Sequence, residues 1–177
     1  MEEKTIKSTL VHKGRITVYY DDQVLLPDGK TAYREYVSHR GGAAILALDE
    51  EDNVYLVRQF RYPYKEDILE IPAGKREGDE DPLVCARREL EEETGFAAKS
   101  ICEYGVFYPT PGYSNEKLYI YLARVGAKGK QHLDDTEFID VVKVNVNKAF
   151  EMIANGEIKD GKTSYAICRY LAEKAQK

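Results

Sequence analysis

Tryptophan is absent from this chain, cysteine is scarce and no long apolar run occurs. The cysteines Cys85, Cys102 and Cys168 are far apart and lack CxxC spacing, which excludes a disulfide framework and a cysteine-based zinc site. No apolar run approaches the roughly 18 residues needed to span a bilayer. Residues 1–4 begin no cleavable hydrophobic segment, so the sequence predicts a protein of the reducing cytoplasm without a membrane partner.

Positive charge is also in short supply, because 26 Lys and Arg residues face 31 Asp and Glu residues, for a net charge of −5. This balance argues against a nucleic-acid partner, since non-specific binding of a polyanion requires a basic surface. It leaves room for a small anionic ligand, which a few arginines and a metal ion can hold. The 177 residues, 43% of them hydrophobic, suit a globular protein with a sizeable core.

Strand-like and helix-like segments alternate along the chain. Runs rich in β-branched and aromatic residues predict strands at Ile16–Leu26, Thr31–Ser38, Gly42–Leu48, Val54–Arg58, Asp67–Ile71, Ile101–Phe107, Lys117–Arg124 and Phe138–Val144. The first two form a hairpin about the turn at Pro27–Lys30. Helices are predicted after Asp81, near Lys148–Ala154 and near Thr163–Lys174. The mixture indicates an α/β (α+β) protein.

The first helix has clear signals at both ends. Asp81 is suited to cap its first turn, and Pro82 fits the first helical position, where a missing N–H group has no cost. Gly95 suits the left-handed conformation just past the C-terminus. The pattern therefore predicts a helix that begins after Asp81 and ends before Gly95.

Three glutamates share one face of this helix. At about 100° per residue, Glu89, Glu92 and Glu93 fall in one sector, beside the core-facing Ala86 and Leu90. Like charges at this spacing cost roughly 0.2–0.5 kcal/mol per pair, and the helix dipole disfavours anions near the C-terminus. A solvated acidic face is one interpretation. The other is a Mg²⁺ platform for diphosphate chemistry, because a hard cation reverses this repulsion.

The segment Gly74 to Phe96, GKREGDEDPLVCARRELEEETGF, resembles the Nudix box. That pattern runs Gly, five residues, Glu, seven residues, Arg-Glu, an aliphatic residue, one residue, Glu-Glu, one residue, Gly and an apolar residue. Here these positions are Gly74, Glu80, Arg88, Glu89, Leu90, Glu92, Glu93, Gly95 and Phe96. Every specified position is filled and no spacing is altered. The resemblance implies a Nudix fold, with a mixed β-sheet sandwiched between helices.

The resemblance also implies roles for residues 74–96, which we call the box, and for Ala73, the residue before it. Glu89 and Glu93 match direct Mg²⁺ ligands, and Glu92 matches a further ligand or a catalytic group. The carbonyl of Ala73 matches a backbone ligand. Arg88 matches an ion-pair partner that orients the glutamates for catalysis. The implied cofactor is Mg²⁺, with Mn²⁺ as a possible substitute.

Further pieces are similar to the ADP-ribose pyrophosphatase branch of that family. Pro111, in Thr110-Pro111-Gly112, follows Gly95 by sixteen residues, which is typical of the branch and implies substrate contacts by this segment. Arg61 matches an arginine that contacts substrate phosphate. Arg34-Glu35 matches a pair that reaches the adenosine part, often from a second subunit.

The resemblance leaves the catalytic base open. An acidic loop outside the box commonly supplies it in this branch, and residues 134–137 occupy that place, with Glu137 favoured over Asp135. The same loop is also interpretable as a hydrated turn before a strand. In that case Glu92 or Glu93 would serve as the base.

The predicted organisation is an N-terminal antiparallel β-hairpin subdomain at residues 1–40, used for dimerisation and substrate contacts, and a Nudix domain at 41–177. The predicted function is hydrolysis of ADP-ribose, or of a close nucleoside diphosphate sugar, by a homodimer. One alternative is a Nudix hydrolase acting on another nucleotide sugar, a dinucleotide polyphosphate or an oxidised nucleotide. Another is a Nudix module that binds ADP-ribose without cleaving it.

Overall fold

A computed structural model describes residues 1–176 of the chain, which form ten strands and three helices. The strands are β1 Lys4–Lys13, β2 Val18–Leu25, β3 Thr31–Ser38, β4 Gly42–Leu48, β5 Asn53–Arg61, β6 Glu66–Glu70, β7 Ala73–Lys75, β8 Phe96–Phe107, β9 Leu118–Lys128 and β10 Ile139–Asn145. The helices are α1 Pro82–Thr94, α2 Val146–Ala154 and α3 Gly161–Lys174. Over residues 1–176, no helix is long and apolar enough to cross a membrane.

Contacts divide the chain into two compact units. The first unit contains Met1–Gly41 together with Tyr108–Lys117. The second contains Gly42–Phe107 and the chain from Leu118 onward. The segment with Thr110-Pro111-Gly112 therefore belongs with the N-terminal strands, although it lies far from them in sequence.

The first unit is built on an antiparallel sheet in the order β1-β2-β3. The predicted hairpin is present as β2 and β3, in continuous register from Val18 opposite Ser38 to Leu25 opposite Thr31. The sheet also contains β1, a strand that the sequence does not predict. All ten residues of β1 are exposed, so no buried face imposes the alternation of apolar and polar residues that signals a strand.

The second unit is built on a mixed sheet in the order β10-β5-β4-β9-β8, to which β6 and β7 add pairings with β5 and β4. Strands β4 and β9 run parallel, from Gly42 beside Leu118 to Leu48 beside Arg124. All seven residues of β4 are buried. This agrees with its apolar sequence, because a strand covered on both faces needs no alternation.

Helices cover both faces of this sheet, as predicted for the mixed fold. Alternate residues of β4 enter two cores, which include Ala44 and Leu46 on the side of α2 and α3, and Ala43 and Ile45 on the side of α1. Leu90 of α1 is fully buried in the second core. Each fully buried Leu or Ile contributes about 1.5–3 kcal/mol relative to exposure, so α1 is held firmly on the sheet.

Helix α1 begins and ends where its sequence predicts. The Asp81 side chain accepts hydrogen bonds from the N–H groups of Leu83 at 2.8 Å and Val84 at 3.4 Å. Pro82 is the first helical residue. Gly95 adopts φ of 75°, and its N–H donates to the carbonyl of Glu91, which closes the helix. The glutamates near this end therefore have a rigid support.

Candidate active site on helix α1

The three glutamates that share one face of α1 differ strongly in exposure. Glu93 is buried, with 4% of its surface accessible. The Glu89 side chain is 12% exposed, whereas that of Glu92 is 38% exposed. On this face, the exposed fraction of the side chain therefore falls from Glu92 through Glu89 to Glu93.

Arg88 binds three acidic side chains, those of Glu80, Glu89 and Glu92. Its Nε and one terminal nitrogen each donate a 3.0 Å bond to Glu80, in bidentate geometry. The other terminal nitrogen donates 2.8 Å bonds to Glu89 and to Glu92. The hydrogen bond from Arg88 lowers the pKa of Glu80 to about 2. Arg88 thus offsets the repulsion along the face and aligns Glu89 and Glu92.

Among residues 1–176, no side-chain cation lies at hydrogen-bond distance from Glu93. Its carboxylate accepts a 3.0 Å bond from the N–H of Ala73, at the start of β7. Burial raises the pKa of Glu93 to about 8, and the negative charges of Glu89 and Glu137 add to that rise. A carboxylate with this pKa is poised to bind a cation, because a positive ion relieves both burial and repulsion.

The Glu89 carboxylate lies close against the backbone of Gly74. A Cβ atom on Gly74 would lie only 1.8 Å from Oε1 of Glu89. The backbone of β7 and the Glu89 carboxylate therefore share a space that any side chain would fill. This contact brings residues 73–74 and two glutamates of α1 together.

This donor set fits Mg²⁺ in its chemistry. Glu89, Glu92, Glu93 and the backbone at Ala73 offer oxygen atoms, which a hard cation prefers. Across residues 1–176, no three His, Cys, Asp or Glu side chains are already gathered closely enough to enclose an ion. Arg88 engages one oxygen of Glu89 and one of Glu92, and the second oxygen of each carboxylate would serve a metal.

The loop after β9 is fastened to the C-terminal end of α1. The Gln131 side chain donates a 2.6 Å bond to the carbonyl of Glu93, and the N–H of His132 donates a 3.0 Å bond to the carbonyl of Glu92. The loop continues to Glu137, which is half-buried, whereas Asp135 is exposed. The negative charge of Glu137 contributes to the raised pKa of Glu93.

Arg61, at the end of β5, lies beside the same face. The hydrogen bond with Glu70 is the largest cause of the raised pKa of Arg61, and the negative charge of Glu93 adds to the rise. Nε of Arg61 donates a 2.5 Å bond and one terminal nitrogen a 2.8 Å bond to Glu70, which is buried. Lys162 of α3, also buried, binds the same Glu70 carboxylate. The second unit therefore brings Arg61, Glu137 and the box glutamates together.

The remaining predicted substrate contacts lie in the first unit. Arg34 of β3 forms two hydrogen bonds with Glu3, at 2.9 and 2.6 Å. The N–H of Val37, at the end of β3, donates a 2.8 Å bond to the carbonyl of Tyr113. This bond ties the segment that includes Thr110, Pro111 and Gly112 to the strand that bears Arg34 and Glu35.

Comparison with known proteins identifies the class to which this fold and site belong. Residues 38–166 match the family model described as the NUDIX domain. The chain therefore belongs to the Nudix family and is a Nudix pyrophosphohydrolase, as its box predicts.

Three relatives cover most of the chain. It is 41% identical over 173 residues to ADP-ribose pyrophosphatase of Bacillus subtilis (strain 168), covering 97% of this chain and 93% of the relative. It is 40% identical over 173 residues to Methanol dehydrogenase activator of Bacillus methanolicus, with coverage of 96% and 92%. It is also 33% identical over 173 residues to GDP-mannose pyrophosphatase of Yersinia enterocolitica serotype O:8 / biotype 1B, covering 90% of each chain.

Three residues near the site are not predicted from the sequence. Glu70 is a charged residue inside the apolar run Ile68–Ile71, and this pattern could have indicated a buried ion pair. Lys162 lies just before the predicted helix Thr163–Lys174, and nothing in the sequence pairs it with Glu70. No sequence pattern around Gln131 predicts its role, because that role depends on where a loop meets the end of α1.

Proposed function

We propose that this enzyme hydrolyses the pyrophosphate bond of ADP-ribose, or of a close nucleoside diphosphate sugar, with Mg²⁺ as cofactor and Mn²⁺ as a possible substitute. The observation that carries the proposal is the convergence of the buried Glu93, Glu89, Glu137 and Arg61 around one end of α1. The relatives named ADP-ribose pyrophosphatase support this choice of substrate.

Glu89, Glu92, Glu93 and the carbonyl of Ala73 would hold the metal. When bound, Mg²⁺ neutralises phosphate charge and makes water easier to deprotonate. Protein side chains would align the metal ligands, bind the substrate and accept the proton. Arg88 aligns Glu89 and Glu92 through its 2.8 Å bonds.

Substrate binding and proton transfer would fall to two further groups. Arg61 donates to a phosphate from the half of its guanidinium that Glu70 does not occupy. Glu137 accepts a proton from the attacking water, because its carboxylate lies close enough to Glu93 to raise the pKa of that residue. With ADP-ribose the products are AMP and ribose 5-phosphate.

The first unit would bind the rest of the nucleotide and form a homodimer. Arg34, Glu35 and residues 110–112 supply the substrate contacts. The exposed strand β1 supports dimerisation, since it is an outer strand of its sheet and presents Ile6, Leu10 and Val11 more than half exposed. Analytical ultracentrifugation tests the dimer, and a monomer at micromolar concentration would contradict it.

A substrate panel with Mg²⁺ tests the proposed reaction. ADP-ribose, GDP-mannose, a diadenosine polyphosphate and an oxidised nucleotide are incubated with the enzyme, and the products are separated by chromatography. We expect AMP and ribose 5-phosphate from ADP-ribose, at a rate well above those of the other compounds. Tight binding of ADP-ribose without turnover would instead indicate a sensor.

GDP-mannose is the second candidate substrate. The relative named GDP-mannose pyrophosphatase, which aligns over 90% of this chain, favours its inclusion. The two substrates share the diphosphate and differ in base and sugar, so the site on α1 serves either. Faster release of GMP than of AMP in the panel would establish this alternative.

A further inference from the structure

Strand β6 is held along its length by residues 159–163, which lead into and begin helix α3. Lys159 binds Glu66 at 2.6 Å at one end of β6. Lys162 binds Glu70 at the other end. Just beyond it, the Thr163 hydroxyl accepts a 2.8 Å bond from the N–H of Ile71.

These contacts become more buried toward the site. The side chains of Lys159 and Glu66 are 57% and 41% exposed. Those of Lys162 and Glu70 are only 8% and 5% exposed. A buried ion pair is weak evidence for stability, because desolvation offsets much of the attraction and an apolar pair often does as well. The Lys162–Glu70 pair is therefore expected to serve another purpose.

Glu70 connects that pair to Arg61. Both carboxylate oxygens of Glu70 accept hydrogen bonds from Arg61, at 2.5 and 2.8 Å. Within the part of the chain that the structure describes, the remaining terminal nitrogen of Arg61 has no protein acceptor, and 39% of the side chain is exposed. Glu70 thus fixes the plane of the Arg61 guanidinium. The N–H groups on its remaining terminal nitrogen are left to bind a ligand at the end of β5.

The positive charge of Lys162 affects how strongly Glu70 neutralises Arg61. Alone with Arg61, a buried Glu70 would neutralise the positive charge that must attract a diphosphate. Lys162 adds a second cation to the same carboxylate, so Arg61 retains more of its charge for a ligand. Asp160 also binds Lys162, at 3.1 Å, so Lys162 shares its charge between two carboxylates, and Asp160 accepts two further hydrogen bonds from Thr163.

We propose that Lys162 is a positioning residue for substrate binding, which acts through Glu70 to orient Arg61 and to keep it electropositive toward the diphosphate. The inference rests on the proposed function only in taking Arg61 as the phosphate-binding group. It applies to any nucleoside diphosphate sugar that the enzyme cleaves.

The test is a double-mutant cycle between Lys162→Met and Arg61→Ala. Lys162→Met leaves each carboxylate a donor, since Glu70 keeps Arg61 and Asp160 keeps Thr163. We expect KM for ADP-ribose to rise on the order of tenfold, the lower end of the 10–100-fold range for outer partners of a site, with kcat changing less. In the Arg61→Ala background the same substitution should change KM less than twofold.

Matched controls separate positioning from loss of fold. Lys159→Met removes a lysine of the same segment that binds the exposed end of β6, and it should leave KM unchanged. Lys162→Arg, which keeps the charge, should recover part of the affinity. If Lys162→Met does not fold, Glu70→Gln tests the same link and should raise KM only when Arg61 is present.

A binding measurement that does not depend on catalysis complements the kinetic experiment. The Kd of metal-free enzyme for ADP-ribose, measured by calorimetry in EDTA, should weaken in parallel with KM. An unchanged KM in folded Lys162→Met, or an equal loss in both Arg61 backgrounds, would overturn the inference. Should the wild-type enzyme ignore ADP-ribose, the proposed function fails, and the cycle is run with the fastest substrate of the panel.

Discussion

The side-chain amide of Gln131 donates a 2.6 Å hydrogen bond to the backbone carbonyl of Glu93. The last carbonyls of a helix lack intrahelical donors, and this loop supplies them at the end of α1. The N–H of His132 does the same for Glu92. The helix end that bears the glutamates therefore also anchors the loop that leads to Glu137.

Replacing Gln131→Ala should loosen this anchor. A single hydrogen bond contributes about 0.5–1.5 kcal/mol, so we expect kcat to fall roughly two- to tenfold because Glu137 is less often in place. Steady-state kinetics measure the effect. The neighbouring exposed substitution Lys130→Ala is the control, and equal activity in the two variants would show that the anchor is dispensable.

Glu137→Gln tests the catalytic base. A general base contributes about 10²–10⁴-fold to a rate, so kcat should fall by that order while KM changes little. Asp135→Asn, in the exposed part of the same loop, should have a small effect. If Glu137→Gln remains nearly as active as wild type, the role returns to Glu92 or Glu93.

Gly74→Ala should displace the Glu89 carboxylate, since the new Cβ would lie 1.8 Å from its Oε1. We expect kcat/KM to fall at least about tenfold and the Mg²⁺ concentration for half-maximal rate to increase. Gly129→Ala is a matched control, because its Cβ would meet its nearest neighbour at an ordinary 3.5 Å. Normal Mg²⁺ dependence in Gly74→Ala would contradict the placement of Glu89.

Glu93→Gln should stabilise the metal-free protein at high pH. The pKa of Glu93 is about 8 in the folded chain against an ordinary value of 4.5. Between these values the folded state keeps a proton that the unfolded state releases, so wild-type stability falls as pH rises. The glutamine does not titrate, so the advantage of the variant should grow from pH 5 to pH 8 by roughly 3–4 kcal/mol.

Thermal unfolding in EDTA and in Mg²⁺ checks this result. With Mg²⁺ at pH 8 the order should reverse, because ionised Glu93 binds the metal and ligand binding stabilises the folded state. Turnover of Glu93→Gln should fall by orders of magnitude. Parallel pH profiles of stability for the two proteins would argue against the burial of an ionisable group here, and wild-type turnover would remove Glu93 from the metal set.

Asp52 is expected to matter for stability alone. Its carboxylate accepts hydrogen bonds from Arg124 at 2.9 Å, Tyr170 at 2.5 Å and Lys174 at 2.5 Å. Its backbone adopts φ of 58°, which alanine tolerates poorly. Asp52→Ala should cost about 2–3 kcal/mol of unfolding free energy and leave kcat unchanged.

Asp52 should also make the free energy of unfolding depend on pH at low pH. Lys174 and Tyr170 lower the pKa of Asp52 to about 2 from 3.8. Its contribution is therefore complete above pH 3.8 and is lost as pH falls through 2. Urea unfolding should show a smaller difference between wild type and Asp52→Ala at pH 2 than at pH 5. A constant difference would mean that the charge of Asp52 contributes nothing.

Local chemistry made α1 predictable. Asp81, Pro82 and Gly95 act on their immediate neighbours, so the bounds of the helix follow from their order along the chain. The shared face of Glu89 and Glu93 follows from helical periodicity in the same way. Strand β1 was not predicted, because its exposed side chains show no alternation and its pairing with β2 depends on backbone groups.

The sequence by itself determined the family, the helix face shared by Glu89, Glu92 and Glu93, and the positions of the main strands along the chain, because each depends on spacings of a few residues. Only the tertiary structure decided that Glu93 is buried against Ala73, that Gln131 anchors the loop leading to Glu137, and that Lys162 meets Glu70. Lys162 and Glu70 lie 92 positions apart in sequence. Contacts at that separation depend on how helices pack on a sheet, which no local pattern of residues encodes.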